Sequence, residues 1–210
     1  MSSSHSPASD SKHVSEAARD VALEPIAREC SETLNALFEL YAHDFSEHVP
    51  LELKESGRFE LSVGEHWWSR DDHYPFFIRA GGQLAGFALV RRGSTLSKDP
   101  RVMDVAEFFV VRGQRRKHVG RQAAAALLKR FPGKWEVRVR QANLPALSFW
   151  LRTLREPVRG EVDRTTYSAS GVAWHVLRVE ACVEALRDAG DEARSAEAVF
   201  EKEGAFRERQ

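Results

Sequence analysis

From residue 27 to residue 48 the large apolar side chains fall at Leu34, Leu37, Phe38, Tyr41 and Phe45. Spacings of three and four place them on one face of a helix, and Pro50 marks its end. The next stretch, "LELKESGRFELSVGEHWWSRDD", is polar and interrupted by Gly57 and Gly64, which predicts a loop with a short helix around Trp67 and Trp68. The period then changes. "YPFFIRAGGQLAGFALVRRG" is two apolar runs separated by Gly81-Gly82, a hairpin signal. A further strand, "VMDVAEFFVVR", follows the loop at Pro100, and the alanine-rich "VGRQAAAALLKRF" is a helix that stops before Pro132-Gly133. "KWEVRVRQ" alternates like a strand, "PALSFWLRTLR" returns to helix, and "GVAWHVLRV" is a closing strand. The order predicts an α/β (α+β) domain built on a mixed central sheet with flanking helices.

The ends of the chain behave differently. Residues 1–22 are rich in Ser, with His, Asp and Pro but almost no large apolar side chains. They bury too little surface to offset the entropy of ordering, so the expectation is a disordered leader. The domain proper is expected over 23–180, and 181–210 reads as a charged helical extension broken by Gly190.

Composition narrows the class. With 210 residues, 42% of them hydrophobic and 30% charged, the chain suits one domain with a real core. There is no apolar run of membrane-spanning length and no apolar signal-peptide core, which points to a cytoplasmic protein. Cys30 and Cys182 lack metal-ligand spacing, so both are read as structural and no metal site is expected.

Net charge is zero but unevenly placed. Residues 44–72 hold eight acids against Lys54, Arg58 and Arg70, whereas residues 112–140 hold ten Lys or Arg and one acid, Glu136. The densest basic run, Arg115-Arg116-Lys117-His118-Val119-Gly120-Arg121, stands where an apolar strand passes into a helix. That helix end is already the positive pole of a dipole with unsatisfied N–H groups, so the arrangement calls for an anion, and a phosphate fits it. A solvated face or a nucleic-acid patch is the alternative reading, although aromatic side chains are not interleaved for base stacking; no nucleic-acid or membrane partner is expected.

This loop resembles the acyl-CoA loop of the GNAT superfamily, the Gcn5-related N-acetyltransferases, with His118 in place of the first glycine. A second element, "NLPALSFW" from Asn143 to Trp150, is similar to the family's Asn-x-x-Ala-x-x-Phe-Tyr element. Together with the hairpin these cover roughly residues 75 to 180. The resemblance implies a GNAT fold with the fourth and fifth strands splayed, and acetyl-CoA as cosubstrate. It implies phosphate binding by Arg115, Arg116, Lys117, His118, Val119, Gly120 and Arg121. Phe109, Val110 and Val111 would hold the pantetheine arm and the acetyl carbonyl, with Asn143 and Phe149 facing the cofactor. Asn143 can equally be a helix N-cap before Pro145, and Phe149 a core residue.

Transfer to an amine needs a proton acceptor. In many relatives it sits on the strand before the CoA loop, where Asp104 and Glu107 are the candidates. On a regular strand these two face opposite sides, so one is structural unless a bulge re-aims it. Trp150 stands where many relatives carry an acidic tyrosine, which leaves Tyr41, Tyr74, His175 or solvent to reprotonate the thiolate. The acidic segment suggests an acceptor cleft of Tyr41, Asp44, Glu47, Trp67, Trp68 and Trp174, suited to a small cationic amine. More loosely, the chain resembles aminoglycoside 2'-N-acetyltransferases of the kasugamycin-resistance type. The implied activity is acetyl transfer to a primary amine of a small, polar, cationic molecule, possible as a homodimer; a protein lysine or N-terminal acetyltransferase is the alternative.

Overall fold

The computed structural model describes residues 20–155 and 161–181. Within them a strand β1 (Val21–Pro25) precedes α1 (Ser31–Phe45) and the single-turn α2 (His66–Ser69). The hairpin β2 (His73–Ala80) and β3 (Gln83–Arg92) follows, then β4 (Met103–Val110) and α3 (Val119–Arg130). The rest is β5 (Gly133–Arg140), α4 (Leu144–Thr153), β6 (Asp163–Ala169) and β7 (Val172–Ala181). The seven strands form one mixed sheet in the order β1-β2-β3-β4-β5-β7-β6.

The hairpin turns at Gly81 and Gly82, whose φ values of 57° and 77° are those a two-residue primed turn needs. β1 corrects the expected boundary of the leader: Val21 and Ala22 pair with Ala80 and Arg79 at the sheet edge. Its five residues end in proline and carry too short an alternation to stand out, and Pro25 is tolerated because the strand is an edge. Residues 1–19, and the expected extension from 182 onward including Cys182, lie outside the described residues. β6 was not separately expected either; every residue of it is exposed, so it has no buried face to write a pattern.

Two features of β4 position everything that follows. Against β3 the register advances one residue from Leu89 to Val90 while β4 advances two, from Glu107 to Val105, leaving Ala106 as a bulge. The bulge puts Asp104, opposite Arg91, and Glu107, opposite Leu89, on the same face of the sheet. On its other side β4 pairs with β5 in parallel only at Met103, Asp104 and Val105. Beyond that point the two strands part, as the resemblance implied.

The sheet faces are unlike. One carries Val90, Met103, Val105, Trp135, Val137, Val139 and Leu177, packed against Leu127 of α3 and Leu147, Trp150 and Leu154 at α4. The other packs Phe77, Phe87, Leu89 and Phe109 against Leu34 and Leu37 of α1 and Trp67 of α2.

Candidate active site

Where β4 and β5 part, the gap widens into a cavity of about 200 Å³. Val105 to Phe108 line it from β4, Val137 to Arg140 from β5, Tyr41 and Phe45 from α1, and Trp174 from β7, with Asn143, Ala146 and Trp150 closing it. A second cavity, of about 250 Å³, lies under α1 and α2 and is lined by Phe38, Val63, His66, Trp67, Arg91 and Leu89 among others. Ala106, Glu107 and Arg138 line both.

Glu107 therefore stands where the two spaces meet. Its Oε2 accepts a 2.7 Å hydrogen bond from the Tyr41 hydroxyl. Burial pushes the Glu107 carboxyl above the ordinary carboxylate range, partly offset by the Tyr41 bond and the Arg138 charge. The same burial, with the carboxylate beside it, holds the Tyr41 phenol firmly protonated. A half-buried carboxylate with a raised pKa, facing two cavities, has the properties of a proton acceptor.

Asp104 shares that face but not that situation. It has no exposed surface, and Arg91 holds it at 2.6 Å and Arg138 at 3.1 Å. Two guanidinium groups occupy its oxygens, so the expected catalytic candidacy of Asp104 gives way to a buried ion-pair cluster. The bulge thus brought both acids to one face, and packing separated their roles.

The loop after β4 is built as a cradle. Arg116 and His118 both adopt left-handed backbone, with φ of 61° and 58°. His118 is the residue before α3, and the first helical N–H bond runs from Gln122 to the His118 carbonyl. The amides of Val119, Gly120 and Arg121 precede that ladder at the positive end of the helix. Val119 is buried and anchors the turn; Gly120 admits close contact with Phe149, whose ring lies 3.2 Å from where a β-carbon would sit.

Several side chains expected on the phosphate have partners in the protein. Arg115 donates through Nε to the Val110 carbonyl at 2.7 Å, is ion-paired to Asp44 and lies 5.5 Å from the Phe109 ring. Lys117 donates to the Gly113 carbonyl at 2.7 Å. Arg116, His118 and Arg121 are exposed.

Of the three residues expected to serve the pantetheine arm, Val111, just past the end of β4, donates its N–H to the Ala85 carbonyl at 2.9 Å. The alternation of an antiparallel ladder then turns the Phe109 N–H to β3 as well, and turns Phe108 and Val110 into the gap. The backbones of Phe109 and Val111 therefore bond to the sheet, which corrects their expected place, whereas those of Phe108 and Val110 face away from β3. Asn143 caps α4 by accepting from the Ala146 N–H at 3.0 Å, and it lines the gap. Phe149 packs on Gly120 and on Phe108, 5.9 Å between centroids, and does not line the cavity.

The expected acceptor cleft is divided. Tyr41 and Trp174 line the gap and Trp67 lines the second cavity. Trp68 is tied by its indole N–H to the Ile26 carbonyl at 3.1 Å. Asp44 and Glu47 bind loop arginines instead: Arg112 reaches Asp44 at 2.9 Å and Glu47 at 3.0 Å, and Arg115 also bonds Asp44. Asp44 on α1 and Glu47 just after it tie this segment to the loop after β4, which corrects their expected role in drawing in a cation. Tyr74 packs on Phe131 and His175 lies beside Arg164, so neither reaches the gap.

Sequence reasoning missed Arg91, Arg138 and Arg140 as site residues. The alternation in "WEVRVR" carried the signal for the last two, since it puts both arginines on one strand face.

The family model for "Acetyltransferase (GNAT) family" matches residues 34–154. No curated protein matches the chain. Among solved structures it is similar to an acetyltransferase from Thermus thermophilus, at 14% identity and a TM-score of 0.56, over 75% of this chain and 95% of that one. It is similar to aminoglycoside acetyltransferase AAC(6')-Ib in complex with coenzyme A and kanamycin, at 13% identity and 0.58, over 80% and 98%. It is also similar to BjaI, a CoA-dependent acyl-homoserine lactone synthase, at 16% identity and 0.52, over 82% and 89%. With more than half of the chain inside the family match and a parted β4 and β5, the chain belongs to the acetyltransferase (GNAT) family of acetyl-CoA-dependent N-acetyltransferases.

Proposed function

We propose that the protein acetylates a primary amine of a small polar molecule, with Glu107 as the proton acceptor. The observation that carries this reading is the place of Glu107, on the wall shared by the gap and the second cavity. Acetyl-CoA supplies an acetyl group activated as a thioester, whose carbonyl carbon accepts the amine nitrogen as the carbon–sulfur bond breaks. The amides at the start of α3 suit its diphosphate, and the inward backbone groups of Phe108 with the Val110 N–H suit an arm lying in the gap. Arg116 is exposed beside that cradle.

Glu107 takes the proton that the ammonium must lose before its nitrogen can attack. Tyr41 holds the carboxylate in place from α1. Trp150 cannot donate a proton usefully, and the Tyr41 phenol is kept too weak an acid by burial. A thiolate leaving group is tolerable near neutral pH without a donor.

The acceptor's space is the second cavity, about 250 Å³, together with the part of the gap beside Glu107, which suits a small molecule more than an extended peptide. The likeness to AAC(6')-Ib, at 13% identity, bears on fold and not on substrate. Asp44 and Glu47, the premise for a strongly cationic acceptor, are engaged by Arg112 and Arg115. A kasugamycin-type aminoglycoside is therefore a member of the test panel and not the conclusion.

The test is thiol release from acetyl-CoA across aminoglycosides, polyamines, amino acids and peptides, with mass spectrometry of the products. Acetylation of small amines is expected; acetylation confined to lysines or N-termini of peptides would reject the small-molecule reading.

A further inference from the structure

The face of β5 that looks toward α1 presents Arg138 and Arg140, and both line the gap. Each has a buried Nε with no hydrogen-bond partner among the described residues. Arg138 reaches Asp104 at 3.1 Å through one terminal nitrogen, and Arg91 already holds the same carboxylate at 2.6 Å. Arg140 has no carboxylate partner among the described residues; its guanidinium lies 4.7 Å from the Trp174 ring, which fixes it as a flat, partly desolvated cation.

Around Glu107 there are thus three guanidinium groups, Arg91, Arg138 and Arg140, against two carboxylates, Asp104 and Glu107 itself. The excess is positive, and it grows when Glu107 takes a proton. A bare ammonium gains little from such a site. A guanidinium whose Nε–H is buried and unmet is costly, and a planar, bidentate anion is what it fits. The diphosphate of acetyl-CoA does not answer this need, because α3 packs on the opposite, apolar face of the sheet.

Resting on the amine-acceptor reading above, we propose that the acceptor carries a carboxylate close to its amine, as an amino acid does, and that Arg140 binds it, with Arg138 beside it. The nitrogen is then presented to Glu107 by a substrate held at its other end. Arg140 is the specificity residue, and Trp174 sets the plane of its fork.

The experiment compares matched acceptors that differ by the carboxylate alone: amino acids, their decarboxylated amines and their methyl esters, each assayed by thiol release from acetyl-CoA with wild type, Arg140→Gln and Arg140→Lys. In the wild type kcat/KM favours the carboxylate-bearing member by about 100-fold, the scale of a lost charged hydrogen-bonding partner. Arg140→Gln brings that ratio to within about threefold of unity, and Arg140→Lys recovers part of it, since the charge returns without the fork. A wild-type-like circular dichroism spectrum and one cooperative unfolding transition, expected for both variants, report that they are folded. Equal use of both members by the wild type, or a preference that survives Arg140→Gln, overturns this inference and leaves the amine-acceptor reading standing. No thiol release with any amine overturns both.

Discussion

The two faces of the paired strands β4 and β5 obey different rules although they share one backbone. Toward α3 and α4 they present Val105, Trp135, Val137 and Val139, apolar and close-packed. Toward α1 they present Asp104, Glu107, Glu136, Arg138 and Arg140, with Glu136 as buried as Asp104 and bonded to Ser94 and Arg178. One face holds the sheet together by area removed from water. The other has more charge than a core tolerates unless it is paired, and among the described residues each of these charges has an ionic partner except Glu107 and Arg140, beside the gap. Charge left unpaired in a buried wall marks where the molecule keeps capacity for a ligand.

Substitutions on each face sharpen that contrast. The largest loss is expected on the apolar face: Trp135→Ala removes a side chain 1% exposed whose indole also donates to the Phe131 carbonyl at 2.8 Å. Denaturant unfolding should register about 4 kcal/mol. Next comes Asp104→Asn on the charged face, which leaves two guanidinium groups without their shared anion. A loss of about 3 kcal/mol in the same measurement is expected; a stable variant with abolished turnover would instead restore Asp104 as a catalytic group.

Glu107→Gln should do the reverse, costing about 100-fold in kcat, roughly 2.7 kcal/mol of barrier, with the fold intact. The pH dependence gives it a signature. The folded carboxyl is raised, so ionising it opposes folding: stability declines as pH rises from the ordinary carboxylate range through the raised value. Glu107→Gln should abolish that decline. In the kcat/KM profile the acid limb due to Glu107 should lie above the ordinary carboxylate range and vanish in the variant, leaving only the limb of the acceptor's own ammonium.

Smallest is Tyr41→Phe. Its hydroxyl stabilises the charged form of Glu107, so losing it should move the acid limb to higher pH and slow turnover by about tenfold, on the scale of one hydrogen bond to a charged group. A limb that stays put would mean that Tyr41 does not govern the carboxylate.

Much of the architecture was legible because local patterns wrote it. The three-and-four spacing of Leu34, Leu37 and Phe38 and the Gly81-Gly82 turn each state their element without help from distant residues. The loop from Arg115 to Arg121 could be read as a phosphate cradle because a helix start after a strand has donors and a dipole whatever surrounds it. β1 and β6 escaped, since a short edge strand and a fully exposed one make no periodic contrast.

What the chain alone determined was the general plan: a mixed sheet, a basic turn at a helix start, and two acids on the strand before it. Which acid is left free for chemistry belonged to tertiary structure. It depended on one bulged residue, Ala106, on a tyrosine 66 positions away from Glu107, and on arginines of β3 and β5 converging beside the gap. The same holds for Asp44 and Glu47, acidic in composition yet neutralised in space by Arg112 and Arg115. Charge in a sequence is a sum, whereas a pKa and an empty valence for a ligand depend on distances of a few ångströms that only the folded chain sets.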